Sequence, residues 1–195
     1  MKNSFFALIS RMRYIARWGL MRNTSPENIQ EHSHMVAVIA HALAVIAKDK
    51  FHSFIDPNLV ATAALFHDAS EIFTGDLPSP IKYLNPNIQQ AYQQIEQAAN
   101  DKLLSLLPAQ IQASYKPVLT ELSPEVAVFI KNADRLSAYI KCLEELRSGN
   151  DEFLAAKEEI LSSIEKNIRP ETAYFLEHCI PAFGLSLDEL DLGFL

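Results

Sequence analysis

Residues 57–73 read PNLVATAALFHDASEIF, and the fold turns on this stretch. Asp56 precedes it as an N-cap, and Pro57 occupies the first turn, where a missing N–H costs nothing. The turns that follow are apolar on nearly every side, which predicts a central buried helix running through Phe73. Gly75 stops it, and the segment GDLPSPIKYLNP over 75–86, with its three prolines, predicts an ordered non-helical loop or broken turns. Upstream, Ile29 to about Lys48 carries Val36, Ile39, Ala40, Leu43 and Ile46 on one helical face. Before that, residues 4–16 form a first helix, followed by an irregular stretch through Arg17, Trp18, Gly19 and Pro26. Downstream, 87–107 forms a polar helix with Ile88, Tyr92, Ile95, Leu103 and Leu106 inward, and Pro108, Pro117 and Pro124 punctuate short pieces. Ser123-Pro124-Glu125 then opens a strong helix in which Phe129, Ala133, Leu136, Ile140 and Leu143 recur at spacings of 4, 3, 4 and 3, and Gly149 ends it. Helices over 151–167 and 171–179 complete the chain. No segment alternates as a strand does, so the expected class is all-α, with one domain over 1–195.

Composition agrees. The 195 residues suit one large domain with a sizeable core. Hydrophobic residues at 49% and charged residues at 21% exclude a disordered chain, and only 5 glycines argue against a turn-rich β protein. With 24 acidic against 17 basic residues the net charge is −7 and the pI about 5.3, which argues against nucleic acid as a partner. Cys142 and Cys179 form no CxxC and read as reduced thiols. Arg11, Arg13 and Arg17 interrupt the apolar N-terminal stretch, so neither a signal peptide nor a membrane span is expected there. A cytoplasmic protein with no membrane partner is the expectation.

Six histidines are present, and most have ordinary readings. His34 and His41 do not share the direction of His32 and read as non-ligands. The dipeptide His67-Asp68 differs, because it follows Leu65 and Phe66 in the most apolar helix. Burying an imidazole beside a carboxylate costs several kcal/mol unless something pairs with them. A divalent cation supplies that pairing, and this donor mix suits zinc, manganese, cobalt or ferrous iron. His32 near the start of the earlier helix and Asp134 in the later one extend the pattern. Taken alone, Asp134 could simply pair with Lys131 or Arg135. Together the order is His, then His-Asp, then Asp, each on a separate helix.

That order is the signature of the HD-domain metallophosphohydrolases, which the sequence resembles. The strings ENIQEHSHMVAVIAHAL, AALFHDASEIFTGDLPSPIKY, KNADRLSAYIKCLEELRSGN and PAFGLSLDEL, with RYIARWGLMRN near the start, narrow the resemblance to the YfbR-type bacterial 5′-deoxynucleotidases, end to end. The resemblance implies a single HD-domain helical bundle. It implies that His32, His67, Asp68 and Asp134 hold one divalent transition metal such as cobalt, manganese or zinc. It makes Glu71 catalytic and matches Arg17 and Trp18 to the phosphate and sugar end of the substrate. Asp76, Leu77, Pro78 and Ser79 match the loop lining the nucleotide, and His32, Asp68 and Asp134 also face the substrate. Glu71 is expected on the same helix face as Asp68, and Glu71 and Asp76 are the two acid–base candidates, their roles left open.

The implied reaction is hydrolysis of 2′-deoxyribonucleoside 5′-monophosphates to deoxynucleoside and phosphate by activated water. A tight wall, Trp18 or the 76–79 loop, would exclude a 2′-hydroxyl. The alternatives are another HD-domain nucleotide phosphohydrolase or a non-catalytic nucleotide-binding HD domain. The resemblance also implies a homodimer. Phe153, Leu154, Phe175, Leu176 and Phe183 could supply that partner surface, or equally finish the monomer core.

Overall fold

A computed structural model describes residues 3–82 and 84–190; the side chain of Ser79 lies outside the described residues. Among the described residues ten helices follow in order: α1 (Phe5–Ile9), α2 (Ile29–Phe51), α3 (Pro57–Ala64), α4 (Glu71–Thr74), α5 (Ser79–Lys82), α6 (Pro86–Ser105), α7 (Ala109–Leu119), α8 (Pro124–Arg147), α9 (Leu154–Glu165) and α10 (Pro170–His178). Short 3-10 turns cover Ser10–Tyr14, Asp151–Phe153 and Ile180–Gly184. No strand forms among the described residues, and the sole β pairing is one antiparallel bridge between Ala16 and Asn28.

α2 is the central helix. Asn28 caps it by accepting from the Glu31 N–H at 3.1 Å, and Glu31 returns a carboxylate to the Asn28 N–H at 3.3 Å. Its buried face of Val36, Ile39, Ala40, Leu43 and Ala47 packs against α3, α8 and α10. Fully burying each of the large side chains among these contributes about 1.5–3 kcal/mol. By length and composition alone α2 could cross a membrane, but half of that window is buried inside the fold, as befits a core helix. α8 is the second core element. Ser123 caps it through the Val126 N–H, and Phe129, Ala133, Leu136 and Ile140 line its inner face.

A smaller second core joins Phe5, Ala69, Leu103, Leu107 and Leu119, with Phe66 and Tyr115 packed against it. The rings of Phe5, Phe66 and Tyr115 stand 5.4–6.1 Å apart in tilted and edge-on pairs. Ala64 belongs to the main core and Phe66 and Ala69 to the second, so His67 and Asp68 lie on the seam between the two.

Several expectations from the sequence need correction. The helix over 57–73 is not continuous. It ends at Ala64, runs through tight turns over 65–70, and resumes as four residues from Glu71. The Ala64 carbonyl explains the break, because it accepts from the His67 backbone N–H at 3.3 Å and again from His67 Nδ1 at 2.8 Å. Phe66, Ala69 and Glu71 also bond three residues back, a tighter winding than an α-helix. Nor is the stretch buried all round, since Leu59, Leu65 and Phe73 are exposed. The 75–86 segment contains one helical turn, α5, and Pro117 lies within α7 rather than ending it. Pro117 has no N–H to offer the Ala113 carbonyl, so α7 runs on to Leu119 without that bond. Ile95 faces solvent instead of the core, at 51% exposure. Of the C-terminal apolar residues, Phe153 and Phe175 are buried and Leu176 and Phe183 pack on the main core. Of the five residues singled out, Leu154 alone stays exposed, so they mostly complete the monomer.

Candidate active site

The bridge between Ala16 and Asn28 brings the irregular N-terminal stretch to the first turn of α2. The Arg17 N–H donates to the Glu27 carbonyl and the Ile29 N–H to the Ile15 carbonyl, both at 3.0 Å. Arg17 and Trp18 are thereby delivered beside His32, which α2 buries completely. His32 Nε2 lies 3.0 Å from Asp134 Oδ1 on α8 and 3.6 Å from Asp68 Oδ2. Its Nδ1 faces Ser137 Oγ at 3.3 Å, one turn beyond Asp134 on α8. Across the seam, His67 Nδ1 is committed to the Ala64 carbonyl and its Nε2 points to Asp68 Oδ2 at 3.0 Å. The two imidazole rings stand 5.3 Å apart.

This donor set fits a divalent cation. One donor atom from each of His32, His67 and Asp68 lies within 4.8 Å of the others, and Asp134 adjoins through His32. His67 Nε2 is buried and, although close to Asp68, makes no hydrogen bond among the described residues; its Nδ1 can only donate to the Ala64 carbonyl, which fixes the tautomer that leaves Nε2 for a metal, and His32 Nδ1 is engaged by the Ser137 hydroxyl. Electrostatics agree. Burial disfavours the charged form of His67, yet Asp68 and Asp134 more than reverse that and lift it to about 9. Burial opposes ionisation of Asp68, while His67, His32 and Arg17 hold it well below the usual carboxylate range. Asp134 is held low against burial by His32 and His67. A cluster that holds a proton this firmly is built for positive charge.

Around the cluster stand the other candidates. Burial works against the Arg17 charge, and Asp134, Asp68, Glu27 and Asp76 more than restore it. Arg17 Nη1 lies 3.6 Å from Asp68 Oδ2. Trp18 packs on Phe153 at 5.3 Å and donates through Nε1 to Glu27 at 3.0 Å. Glu71 is only 6% exposed, its Oε2 has no hydrogen-bond partner among the described residues, and burial with the charges of Asp68 and Asp76 pushes its pKa up to about 9. It does not share a helix with Asp68 as expected; the tight turns carry it there. Burial also raises Asp76, but Arg17 and the Trp18 backbone N–H offset part of that rise. Leu77 and Pro78 are half-buried on the irregular run beyond Asp76 and make no side-chain hydrogen bond to the cluster among the described residues. Ser79 opens α5, with its side chain outside the described residues.

A family model for the YfbR-like 5′-deoxynucleotidases matches residues 4–183. The chain belongs to that family. This YfbR-like chain is 49% identical over 193 residues to the 5′-deoxynucleotidase VP0926 of Vibrio parahaemolyticus, covering 97% of this chain and 100% of that one. It is 48% identical to the 5′-deoxynucleotidase PBPRA2627 of Photobacterium profundum, covering 97% and 98%. Its fold is that of the HD-domain phosphohydrolases. One from Listeria innocua superposes with a TM-score of 0.79 at 24% identity, over 92% of this chain and 88% of that one. The HD phosphohydrolase DatZ of cyanophage S-2L, solved with dA and one catalytic zinc ion, gives 0.58 at 21% identity over 90% and 95%.

The sequence reading of this YfbR-like chain missed two polar neighbours of the cluster. Ser137 stands three residues after Asp134, a hydroxyl on the apolar face between Ala133 and Ile140, and that placement was a usable signal. Glu27 offered none: a glutamate in front of a helix cap matches no pattern. Yet its Oε2 accepts from both Arg17 Nε and Trp18 Nε1, and its Oε1 lies 3.8 Å from His32 Nδ1.

Proposed function

We propose that this chain is a metal-dependent 5′-deoxynucleotidase that hydrolyses 2′-deoxyribonucleoside 5′-monophosphates to deoxynucleoside and phosphate, by direct attack of water. The observation that carries the proposal is the convergence of His32, His67 and Asp68, with Asp134 against His32 Nε2 and the far nitrogen of each imidazole already engaged. Family membership and the names of the Vibrio and Photobacterium relatives support the substrate. The deoxyadenosine and zinc held by the cyanophage enzyme support a deoxynucleoside product and a single metal.

His32, His67, Asp68 and Asp134 would hold one divalent transition metal, of the cobalt, manganese or zinc kind. Such an ion supplies Lewis acidity and lowers the pKa of water so that it can attack phosphorus near neutral pH. Arg17, with its terminal nitrogens turned toward the cluster, binds the phosphoryl oxygens and stabilises their developing charge. Glu71, protonated through its burial, donates to the departing sugar 5′-oxygen. Asp76, whose burial is partly offset by Arg17 and the Trp18 N–H, orients the attacking water and takes its proton. Trp18 and the 76–79 run of Asp76, Leu77, Pro78 and Ser79 wall the sugar and leave no room for a 2′-hydroxyl. The reading includes a cytoplasmic location, supported by the two free cysteines, and a homodimer, supported by family resemblance.

The test strips the protein with chelator, restores manganese, cobalt or zinc, and measures phosphate released from dAMP, AMP and dATP. Metal-dependent release from dAMP, with little from AMP or dATP, is expected. Equal release from dAMP and AMP would remove the deoxy selectivity. No release from any of them, with metal bound, would leave a nucleotide-binding domain.

A further inference from the structure

We infer that Glu27 is a positioning residue that locks the Arg17 guanidinium and the Trp18 indole into one substrate-ready arrangement beside His32. The inference rests on the deoxynucleotidase reading for what the arrangement serves. One oxygen of Glu27 accepts two donors at 3.0 Å each, Arg17 Nε and Trp18 Nε1. The other oxygen faces His32 Nδ1, on the ring edge opposite the one turned to Asp68 and Asp134. A single carboxylate thus bonds the phosphate cation and the sugar wall and stands 3.8 Å from the metal-binding ring.

Each contact has a directional consequence. A guanidinium gripped at Nε presents its terminal nitrogens on the far side, and Arg17 Nη1 accordingly faces Asp68. An oxyanion arriving there meets a planar fork that no longer has to find its orientation. Trp18 has φ 58°, a left-handed backbone that a bulky residue keeps only where surrounding contacts hold it. Its holds are the Glu27 bond at the indole nitrogen, the ring contact with Phe153, and a carbonyl that accepts from the Met21 N–H and from Asn23. Removing the Glu27 carboxylate frees the indole to turn while the backbone remains pinned. The pairing of residues 15–17 with 27–29 runs through backbone groups, so it does not depend on the Glu27 side chain.

A role in stability alone and a positioning role predict different results, and the chain contains its own probe. Trp18 is the only tryptophan, so emission excited at the red edge, where the six tyrosines do not absorb, reports on this pocket. Glu27→Gln and Glu27→Ala are compared with wild type in three ways: emission of the metal-free protein, thermal midpoint, and kcat and KM for dAMP and AMP with manganese. We expect a shifted emission maximum in both variants before any metal or substrate is added. KM for dAMP should rise tenfold or more in Glu27→Ala, kcat should fall less, and the dAMP to AMP preference should narrow as the indole loosens. Glu27→Gln should fall between, because its amide oxygen accepts only weakly from two donors. Should Glu27→Ala not fold, the near-isosteric Glu27→Gln decides alone. Unchanged emission and KM in a folded variant would overturn the inference, as would an activity loss that only follows a lowered thermal midpoint. A wild-type protein inert toward dAMP would sink the deoxynucleotidase reading while leaving the fluorescence arm to judge Glu27.

Discussion

Glu71 and His67 are three and one residues from Asp68, and burial acts on them in opposite directions. Desolvation favours the neutral form of each: it keeps the proton on Glu71 and would remove one from His67, and only neighbouring carboxylates reverse the second effect. A general acid is active while protonated, so turnover must fall as pH rises through the Glu71 pKa. That value is about 9 without metal, and a bound cation can only lower it. The expected kcat profile therefore has an alkaline limb at or below about pH 9, and Glu71→Gln should remove the limb and cost about 10²–10⁴-fold in kcat. A profile flat to pH 10 in the wild type would assign the proton to another donor. For His67 the prediction concerns binding. Manganese at about 100 times its Kd should stabilise the wild type by about 2.7 kcal/mol, and His67→Ala should lose that thermal shift. At this scale the sequence was legible where residue type conflicts with surroundings. His67, Asp68 and Asp134 stood out as charge among apolar neighbours, whereas Glu27 lies in a polar stretch where a carboxylate surprises nobody.

Among the elements, periodicity identified α2 and α8 well, because long helices with one apolar face repeat the same signal over several turns. It failed at 65–70, where no glycine or proline announces a break. The interruption comes from a side chain, the His67 ring competing for the Ala64 carbonyl, and a propensity argument has no access to that. The loop between α4 and α5 shows a second feature hidden from pattern reading. Thr74 Oγ1 at its start is 3.4 Å from Tyr92 Oη, and Lys82 at its end bonds Glu96 at 2.6 Å and lies 4.6 Å over the Tyr92 ring. One face of α6 therefore fastens both ends of the segment carrying Asp76, Leu77, Pro78 and Ser79. Tyr92→Phe removes the first fastening and keeps the ring. A neutral hydrogen bond is worth about 1 kcal/mol, so KM for dAMP should rise about fivefold with kcat nearly unchanged. Equal KM values in variant and wild type would show the loop is held by its own prolines.

At the scale of the molecule, the N-terminal stretch is held by α8. Glu145, 1% exposed, accepts from the Thr24 N–H at 2.9 Å, the Thr24 hydroxyl at 2.7 Å, the Ser25 N–H at 3.1 Å and Asn150 Nδ2 at 2.8 Å, and it pairs with Lys141. Burial opposes its charge, but Lys141 and these donors hold its carboxyl well below the usual range. A carboxyl depressed in the folded state stabilises above its unfolded pKa, roughly 4.3, and loses that contribution as pH falls further. The thermal midpoint should therefore decline steeply below about pH 4. Glu145→Gln should lower stability at pH 7 by about 3–5 kcal/mol, the cost of stranding a buried partner, and should flatten the acid decline. Equal acid sensitivity in the variant would place it elsewhere. The surplus of C-terminal aromatics was ambiguous from sequence because core and interface use the same residues, and only their packing on the main core decided.

The pocket is also assembled from the two ends of the chain. Asp134 lies 102 residues beyond His32, and Glu145 lies 121 beyond Thr24. On the ribosome, α2 with His32 emerges early, followed by His67 and Asp68, while the fourth ligand and the clamp on the N-terminal stretch come only with α8. A nascent chain in that interval already pairs residues 15–17 with 27–29, but it lacks both Asp134 and the Glu145 clamp on Thr24 and Ser25. The four-residue site in its final geometry is consequently a late event of synthesis, completed only when α8 has left the ribosome and packed on α2.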